Sequence, residues 1–238
     1  MTGMDLDRMI AAKRELWALP VAPPAPRVER HRPLRPGRFT AAVSGRDVGI
    51  VVDARSVRLA LAYESGGAAG VSVPADEVHL GGGPELVRRV AGAVDVPVLF
   101  ADVVVDVRQV DMAYACGADA VLVTVRAVDH AELADIVAVA DGLGIDALVS
   151  TTDEEDVERA LDAGAALVGL THDSSWLRAL VPAGVPVVME SEVRDRGDVE
   201  RVAGLGFTGC VVGPLPGRDP AAAVRGLTGV PTGAGAVR

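Results

Sequence analysis

Aromatic residues are scarce in this chain: they make up 3% of 238 residues, although half of the residues are hydrophobic. A core so poor in rings has to be built from Val, Leu and Ala, which suits branched aliphatic strands under Ala-rich helices, the material of α/β barrels. Cysteine is nearly absent as well. Cys116 and Cys210 stand in Ala, Gly and Val surroundings with no nearby His or second Cys, so two buried thiols are expected rather than a disulfide or a zinc pair. No uninterrupted apolar run approaches the roughly 18 residues of a membrane span, and no apolar signal core follows the first charges. The chain is therefore expected to be cytoplasmic. Cations are outnumbered, 23 Lys and Arg against 33 Asp and Glu, for a net charge of -10. Nucleic acids and anionic membranes attract basic surfaces, so neither is an expected partner.

What is present is a repeat. Residues 5–19 place Met9, Ile10, Leu16 and Trp17 at helical spacing, which predicts an N-terminal helix. Pro20, Pro23, Pro24, Pro26, Pro33 and Pro36, interleaved with Arg, stop it; such a stretch sustains neither helix nor central strand and reads as an extended linker. From Val48 onward, short β-branched runs alternate with longer Ala, Leu and charged segments. Eight strands are predicted, at 48–53, 70–73, 96–101, 119–125, 146–150, 166–170, 186–190 and 208–213, with helical segments between them. The phrases GADAVLV, GIDALVS, GAALVGL and GVPVVME repeat one unit, as successive βα modules do. An open doubly wound sheet is the rival, but no Gly-x-Gly-x-x-Gly turn follows the first strand. The expected fold is a single (β/α)8 TIM barrel over 39–238, with the helix and linker of 1–38 packed on it.

Functional side chains of such a barrel stand at the carboxyl ends of its strands. Those positions hold Asp53, Val73, Ala101 with Asp102, Thr124, Ser150, then Thr171, His172 and Asp173, then Glu190, Ser191 and Glu192, and finally Gly213 with Pro214. Their charge is almost wholly negative, and Arg126, just past the fourth strand, is the nearest cation. Glu190, Asp102, Asp53 and His172 are the candidate catalytic residues. Ser150, Thr124, Thr171, Asp173, Ser191 and Gly213 are the candidate ligand contacts, for a small molecule at the mouth. Strand-end acids also cap loops and helix N-termini, and a His beside an Asp also forms a plain loop-stabilising pair. Asp53, Asp102, His172, Asp173 and Glu190 have the donor types for a divalent cation, but their spacing is non-local, and neither a metal nor a cofactor is expected. Gly81, Gly82 and Gly83 lack a following Lys and read as a turn before a helix at 84–93. The Asp153 to Asp156 run reads as a helix N-terminus, where acids favour the dipole.

A family resemblance spans nearly the whole chain. MIAAKREL, RPGRFTAAV, AYESGGAAGVSV, DEVHLGGGPELVRRV, VPVLFADVVVDVRQVDMAYACGADAVLV, ERALDAGAALVGL, VPVVMESEV and GCVVGPLPGRDP resemble, in that order, segments of indole-3-glycerol-phosphate synthases. The resemblance implies a lyase of tryptophan biosynthesis that closes the ring of a carboxyphenylamino-deoxyribulose phosphate with loss of carbon dioxide and water, using two lysines, two glutamates and an anion site. Residue by residue, this chain departs from that pattern. Where the family has Glu-Ile-Lys it has Val51, Val52 and Asp53, and the Ser-Pro-Ser loop that follows is missing. Where Arg-Lys-Asp-Phe is expected it has Phe100, Ala101, Asp102 and Val103; for Leu-Val-Glu it has Leu148, Val149 and Ser150. Asn-Asn-Arg becomes Thr171, His172 and Asp173, and Glu-Ser-Gly becomes Glu190, Ser191 and Glu192. Gly-Glu-Ser-Leu becomes Gly213, Pro214 and Leu215. A phosphate between the last two loops needs free backbone N–H groups and no adjacent negative charge; Glu192 adds a charge and Pro214 removes a donor.

The departures imply a barrel that has lost the synthase reaction and serves another ligand or reaction, or none. Two alternatives stand beside it. One is a working synthase in which Glu190, Asp102 and Arg126 or Arg55 cover for the missing groups. The other is a scaffold or partner subunit that docks through the Pro and Arg-rich arm of residues 20–38. A monomer or weak homodimer is expected.

Overall fold

The computed structural model describes residues 3–19, 34–190, 193–215 and 217–233, and for residues 3–5 and 172–174 the backbone alone. Most of the Pro and Arg-rich arm, residues 20–33, lies outside the described residues. The elements run α1 (Gly3–Trp17), α2 (Arg38–Val43), β1 (Gly49–Asp53), α3 (Val57–Ser65), β2 (Gly70–Pro74), α4 (Pro84–Ala91), β3 (Val98–Ala101), α5 (Val107–Ala115) and β4 (Ala120–Thr124). Then follow α6 (His130–Leu143), β5 (Asp146–Thr151), α7 (Glu154–Asp162), β6 (Val168–Thr171), β7 (Val187–Glu190), α8 (Arg196–Gly204), β8 (Gly209–Val212) and α9 (Pro220–Leu227). The eight strands pair in parallel, each with its sequence neighbours, and β8 returns to β1, so the sheet is a closed barrel. All eight expected strands are present, with ends within two residues of those read from the sequence.

The repeated Gly-Ala-Asp-Ala phrase has a backbone cause. Gly117, Gly144, Gly164 and Gly206 each take positive φ where a helix hands over to the next strand, a conformation cheap only for glycine. The acidic run after Thr152 begins α7 as expected: Asp153 accepts from the Asp156 backbone N–H at 2.8 Å, with Glu154 and Glu155 in the first turn. Cys116 and Cys210 are buried free thiols, and burial pushes both up to about 12.

Two features were not foreseen. The short helix α2 closes the amino end of the barrel: Phe39 and Val43 are fully buried with Val51, Leu99, Ala120, Leu148, Leu167 and Val188 in the interior cluster. Gly49 and Gly209 make this possible, since a Cβ on either would press into Val43. Arg38 ties α2 to Asp119 at 2.9 Å, and the Thr40 backbone N–H donates to Asp146 at 2.9 Å. The connection after β6 differs from the expected helix as well: His172–Leu180 is a 3-10 helix. Its opening Asp173, Ser174 and Ser175 are residue types that favour local turns over a helix interior. Along this segment Trp176 and Leu180 are exposed, as is Leu205 just past the end of α8.

Candidate functional site: the carboxyl mouth of the barrel

Side chains alternate across a strand, so the interior cluster identifies which positions face the lumen. Val51, Leu99, Leu122, Leu148, Val188 and Val211 belong to that cluster. Two residues further along the same strands come Asp53, Ala101, Thr124, Ser150, Glu190 and Gly213, and Thr171 lies four beyond Leu167. The sheet register sets Thr124 beside Ser150, Thr171 beside Glu190, Glu190 beside Val211 and Asp53 beside Ser72. Seven sequence-predicted positions therefore form one ring above an apolar floor. It holds two carboxyls, three hydroxyls, an Ala and a Gly.

Glu190 is the ring's half-buried glutamate. Its Oε1 is sealed from solvent and has no hydrogen-bond partner among the described residues. Burial pushes its carboxyl up from the ordinary glutamate range, opposed only in part by the Ser150 hydroxyl. Gly169 of β6 makes room for it, because a Cβ there would run into Glu190 Oε1. The glutamate thus reaches back over β6 towards β5, and an alanine at Gly169 would occupy the same space. Asp53 carries a second sealed oxygen, Oδ1, without a partner among the described residues. Its Oδ2 accepts from Arg55 Nε at 3.1 Å and Nη2 at 3.0 Å. Burial raises the Asp53 carboxyl, and Arg55 opposes the rise. Arg55 also donates to the Leu80 carbonyl at 2.9 Å, binding the loop after β1 to the loop after β2.

Asp102 stands apart from the ring. It is buried and receives Lys13 Nζ of α1 at 2.8 Å, Gln109 Nε2 at 3.2 Å and its neighbour's Val103 N–H at 2.8 Å. Lys13 also meets Asp76 at 2.8 Å, and His79 Nδ1 approaches Asp76 at 3.2 Å. Burial works against the charge on Lys13, but Asp102 and Asp76 outweigh it and hold the ammonium above its usual range. Burial also pushes Asp76 up, yet Lys13 and the His79 backbone N–H bring it down to about 2. At Asp102 burial wins, and its carboxyl lies above the usual range. Sequence reasoning missed Lys13, Asp76 and Gln109. A signal existed: Met9, Lys13 and Trp17 are spaced by four on one helix face, and all three are buried, so a lysine interrupts an apolar stripe.

The structure describes only the backbone of His172 and Asp173, at the start of the 3-10 segment, and Ser191 and Glu192 lie outside the described residues. Among the described residues no three His, Cys, Asp or Glu converge as metal ligands would. The helices after β7 and β8 cap themselves with acids. Asp195 accepts from the Asp198 N–H at 3.0 Å in a capping box. Asp219 accepts from the Ala222 N–H at 2.9 Å, and Pro220 opens α9 without an N–H of its own.

A family model described as indole-3-glycerol phosphate synthase matches residues 44–225. Indole-3-glycerol phosphate synthase 2 of Streptomyces coelicolor is 38% identical over 190 residues, covering 74% of this chain and 74% of that protein. The Chlorobium phaeovibrioides protein named indole-3-glycerol phosphate synthase is 35% identical over 175 residues, covering 69% and 68%. Two solved structures share the fold alone. Thiamine phosphate pyrophosphorylase from Pyrococcus furiosus matches with a TM-score of 0.59 at 18% identity, over 75% of this chain and 92% of that one. A 3-hexulose-6-phosphate synthase matches with a TM-score of 0.57 at 21% identity, over 76% and 98%. With its barrel, its order of motifs and these relatives, the chain belongs to the indole-3-glycerol-phosphate synthase family.

Proposed function

We propose that this chain is a divergent member of its family that does not carry out the family's ring closure and uses the barrel mouth for another small-molecule ligand or reaction. The observation that carries this reading is the lumen ring: Asp53, Ala101, Thr124, Ser150, Thr171, Glu190 and Gly213 include acids and hydroxyls but no Lys or Arg. Closing a ring with loss of carbon dioxide and water calls for an acid at the oxygen that leaves as water, and for a base to take the proton released. The family's pattern assigns lysines to Asp53 and Ala101 and glutamates to Val51 and Ser150. Val51 and Asp53, two apart on β1, both face the lumen, so their replacement alters the site itself. All four are replaced here, and Glu190, kept from the family's Glu-Ser-Gly, is the one glutamate in the ring. Loss of one general acid or base costs about 10²- to 10⁴-fold in rate, and here several are replaced together.

The anion site supports the same reading. A phosphate dianion between the loops after β7 and β8 would meet helix N-termini already capped by Asp195, Asp198 and Asp219, with Pro214 and Pro220 withholding N–H groups. The competing reading, an active synthase, is favoured by one observation: 34% to 40% identity to proteins named as synthases. Incubating purified protein with carboxyphenylamino-deoxyribulose phosphate and following indole glycerol phosphate by fluorescence separates the two. The expected result is no turnover above a boiled control. Turnover at the rate of an ordinary synthase, or rescue of a tryptophan auxotroph, would establish the competing reading.

A further inference from the structure

We propose that, whatever the mouth binds, this chain pairs with a second copy of itself through the face built by the 3-10 segment and the end of α8, the Trp176 ring of each copy entering the cleft of the other. The face holds a cleft of about 980 Å³ lined by Trp176, Leu180, Pro182, Leu205 and the buried Phe207 among others. Trp176 is 61% exposed, Leu180 47% and Leu205 49%, so three large apolar side chains stand in water around one recess. Of the chain's two tryptophans, Trp17 is buried and Trp176 is on the surface. Tryptophan is among the side chains most enriched at the energetic centres of interfaces. The ring is held in place by its neighbours. Leu177 is fully buried, and the Arg178 guanidinium donates to the Gly206 and Val181 carbonyls, each at 2.9 Å, which pins the 3-10 segment to the turn between α8 and β8. A face preformed in this way loses little freedom on association.

Charge and shape identify the occupant as a second copy. With a net charge of -10, two copies repel over most of their surface. The described residues that line the cleft include no Asp or Glu, and their one cation, Arg178, is engaged with backbone carbonyls. Two acidic chains therefore approach each other here at least electrostatic cost. A basic partner would find no carboxylate in this lining, and an acidic one would meet only an arginine already engaged. A two-fold contact also needs a patch complementary to itself, with projection and recess on the same face, and Trp176 beside the cleft supplies both. Seventeen residues line the cleft, so a thin rim around it completes the roughly 20 to 30 residues a side of a standard interface. The lining includes Ser44 before β1, Pro182 before β7 and Thr208 before β8. The contact thus lies towards the amino ends of the strands and leaves the carboxyl mouth of each copy open.

Sedimentation velocity of the full chain, from about 1 μM to about 0.5 mM, reads the state directly. The expected result is a species of twice the chain mass that grows with concentration. Tryptophan fluorescence should move to shorter wavelength in step, because Trp17 is already buried and Trp176 is the ring that leaves water. Trp176→Ala is expected to weaken pairing by about thirty-fold or more, as at an interface hot spot. Leu205→Glu, which sets a carboxylate on each side of the contact, is expected to leave single chains. Leu61→Glu adds the same charge at an exposed leucine of α3 outside the cleft and should pair as the parent does. All three substitutions are at exposed positions, and thermal denaturation reports that the variants fold. Single chains at every concentration, pairing undiminished in both Trp176→Ala and Leu205→Glu, or pairing lost equally in Leu61→Glu each overturns the inference. So does a chain that pairs only after residues 234–238 are removed, which would give the cleft to the chain's own end.

Discussion

At the scale of single residues, the mouth is governed by which carboxyl has a counter-charge. Asp76 and Asp102 share Lys13, Asp53 has Arg55 on one oxygen, and Glu190 has the Ser150 hydroxyl alone. Removing Lys13 is therefore a sharp test of the first group. Lys13→Met keeps the apolar stem that lies between Met9 and Trp17 but leaves two buried acids facing each other, and should cost about 3–5 kcal/mol near neutral pH. The sign of its pH dependence follows from the two carboxyls. Asp76 is held at about 2, below its unfolded value, so its contribution is present above about pH 4 and is lost as pH falls towards 2. Asp102 is raised, so it is favourable below its unfolded range and works against folding as pH climbs through its folded value. Lys13 limits that second effect. The parent's advantage over Lys13→Met should thus be largest at neutral pH and shrink as pH falls towards 2, measured by urea denaturation at stepped pH.

At the scale of elements, the strands were legible and the closures were not. β2, β4, β5, β6 and β8 announce themselves through β-branched runs following a positive-φ glycine, as at Gly117 and Gly144, and the carboxyl ends of the predicted strands brought out Asp53, Ser150 and Glu190, which the structure sets on the lumen face. α2 escaped notice because six residues, RFTAAV, carry too little periodicity to stand out beside a Pro-rich stretch. The 3-10 form of His172–Leu180 was missed for the opposite reason: Trp176, Leu177 and Leu180 have a helix-like pattern, while the Asp and Ser residues before them set a tighter turn. Lys13 escaped because a pairing over 89 residues with Asp102 leaves no local trace. The importance of α2 can be measured. Phe39 is fully buried against the lumen residues and fills the amino end of the barrel. Phe39→Ala should open a cavity there and cost about 3–5 kcal/mol, seen as a lower urea midpoint with an unchanged slope.

At the scale of the molecule, the proposed loss of ring closure would sit on an apolar frame that still belongs to the family. The frame still reads as its family across residues 44–225, because Val, Leu and Ala at lumen and helix-facing positions pack the same barrel whatever the mouth does. Function resides in a handful of strand-end side chains, and these act as a unit. Groups that cooperate in one transition state contribute non-additively, so restoring one of them recovers little while its partners are missing. Reinstating the family's residues singly, as Asp53→Lys, Ala101→Lys or Ser150→Glu, is accordingly expected to leave ring closure at the level of a boiled control in the fluorescence assay. The three variants should still differ in stability. Ala101→Lys places a cation in the ring with Glu190 and should be tolerated best, since a carboxyl without a counter-charge gains one. Ser150→Glu sets a second carboxyl against Glu190 and removes the one hydroxyl that steadies it, and should be the most destabilising of the three at neutral pH. If Ala101→Lys alone restored turnover, the missing lysine would be the whole of the difference, and the acids capping α8 and α9 would be no obstacle to phosphate.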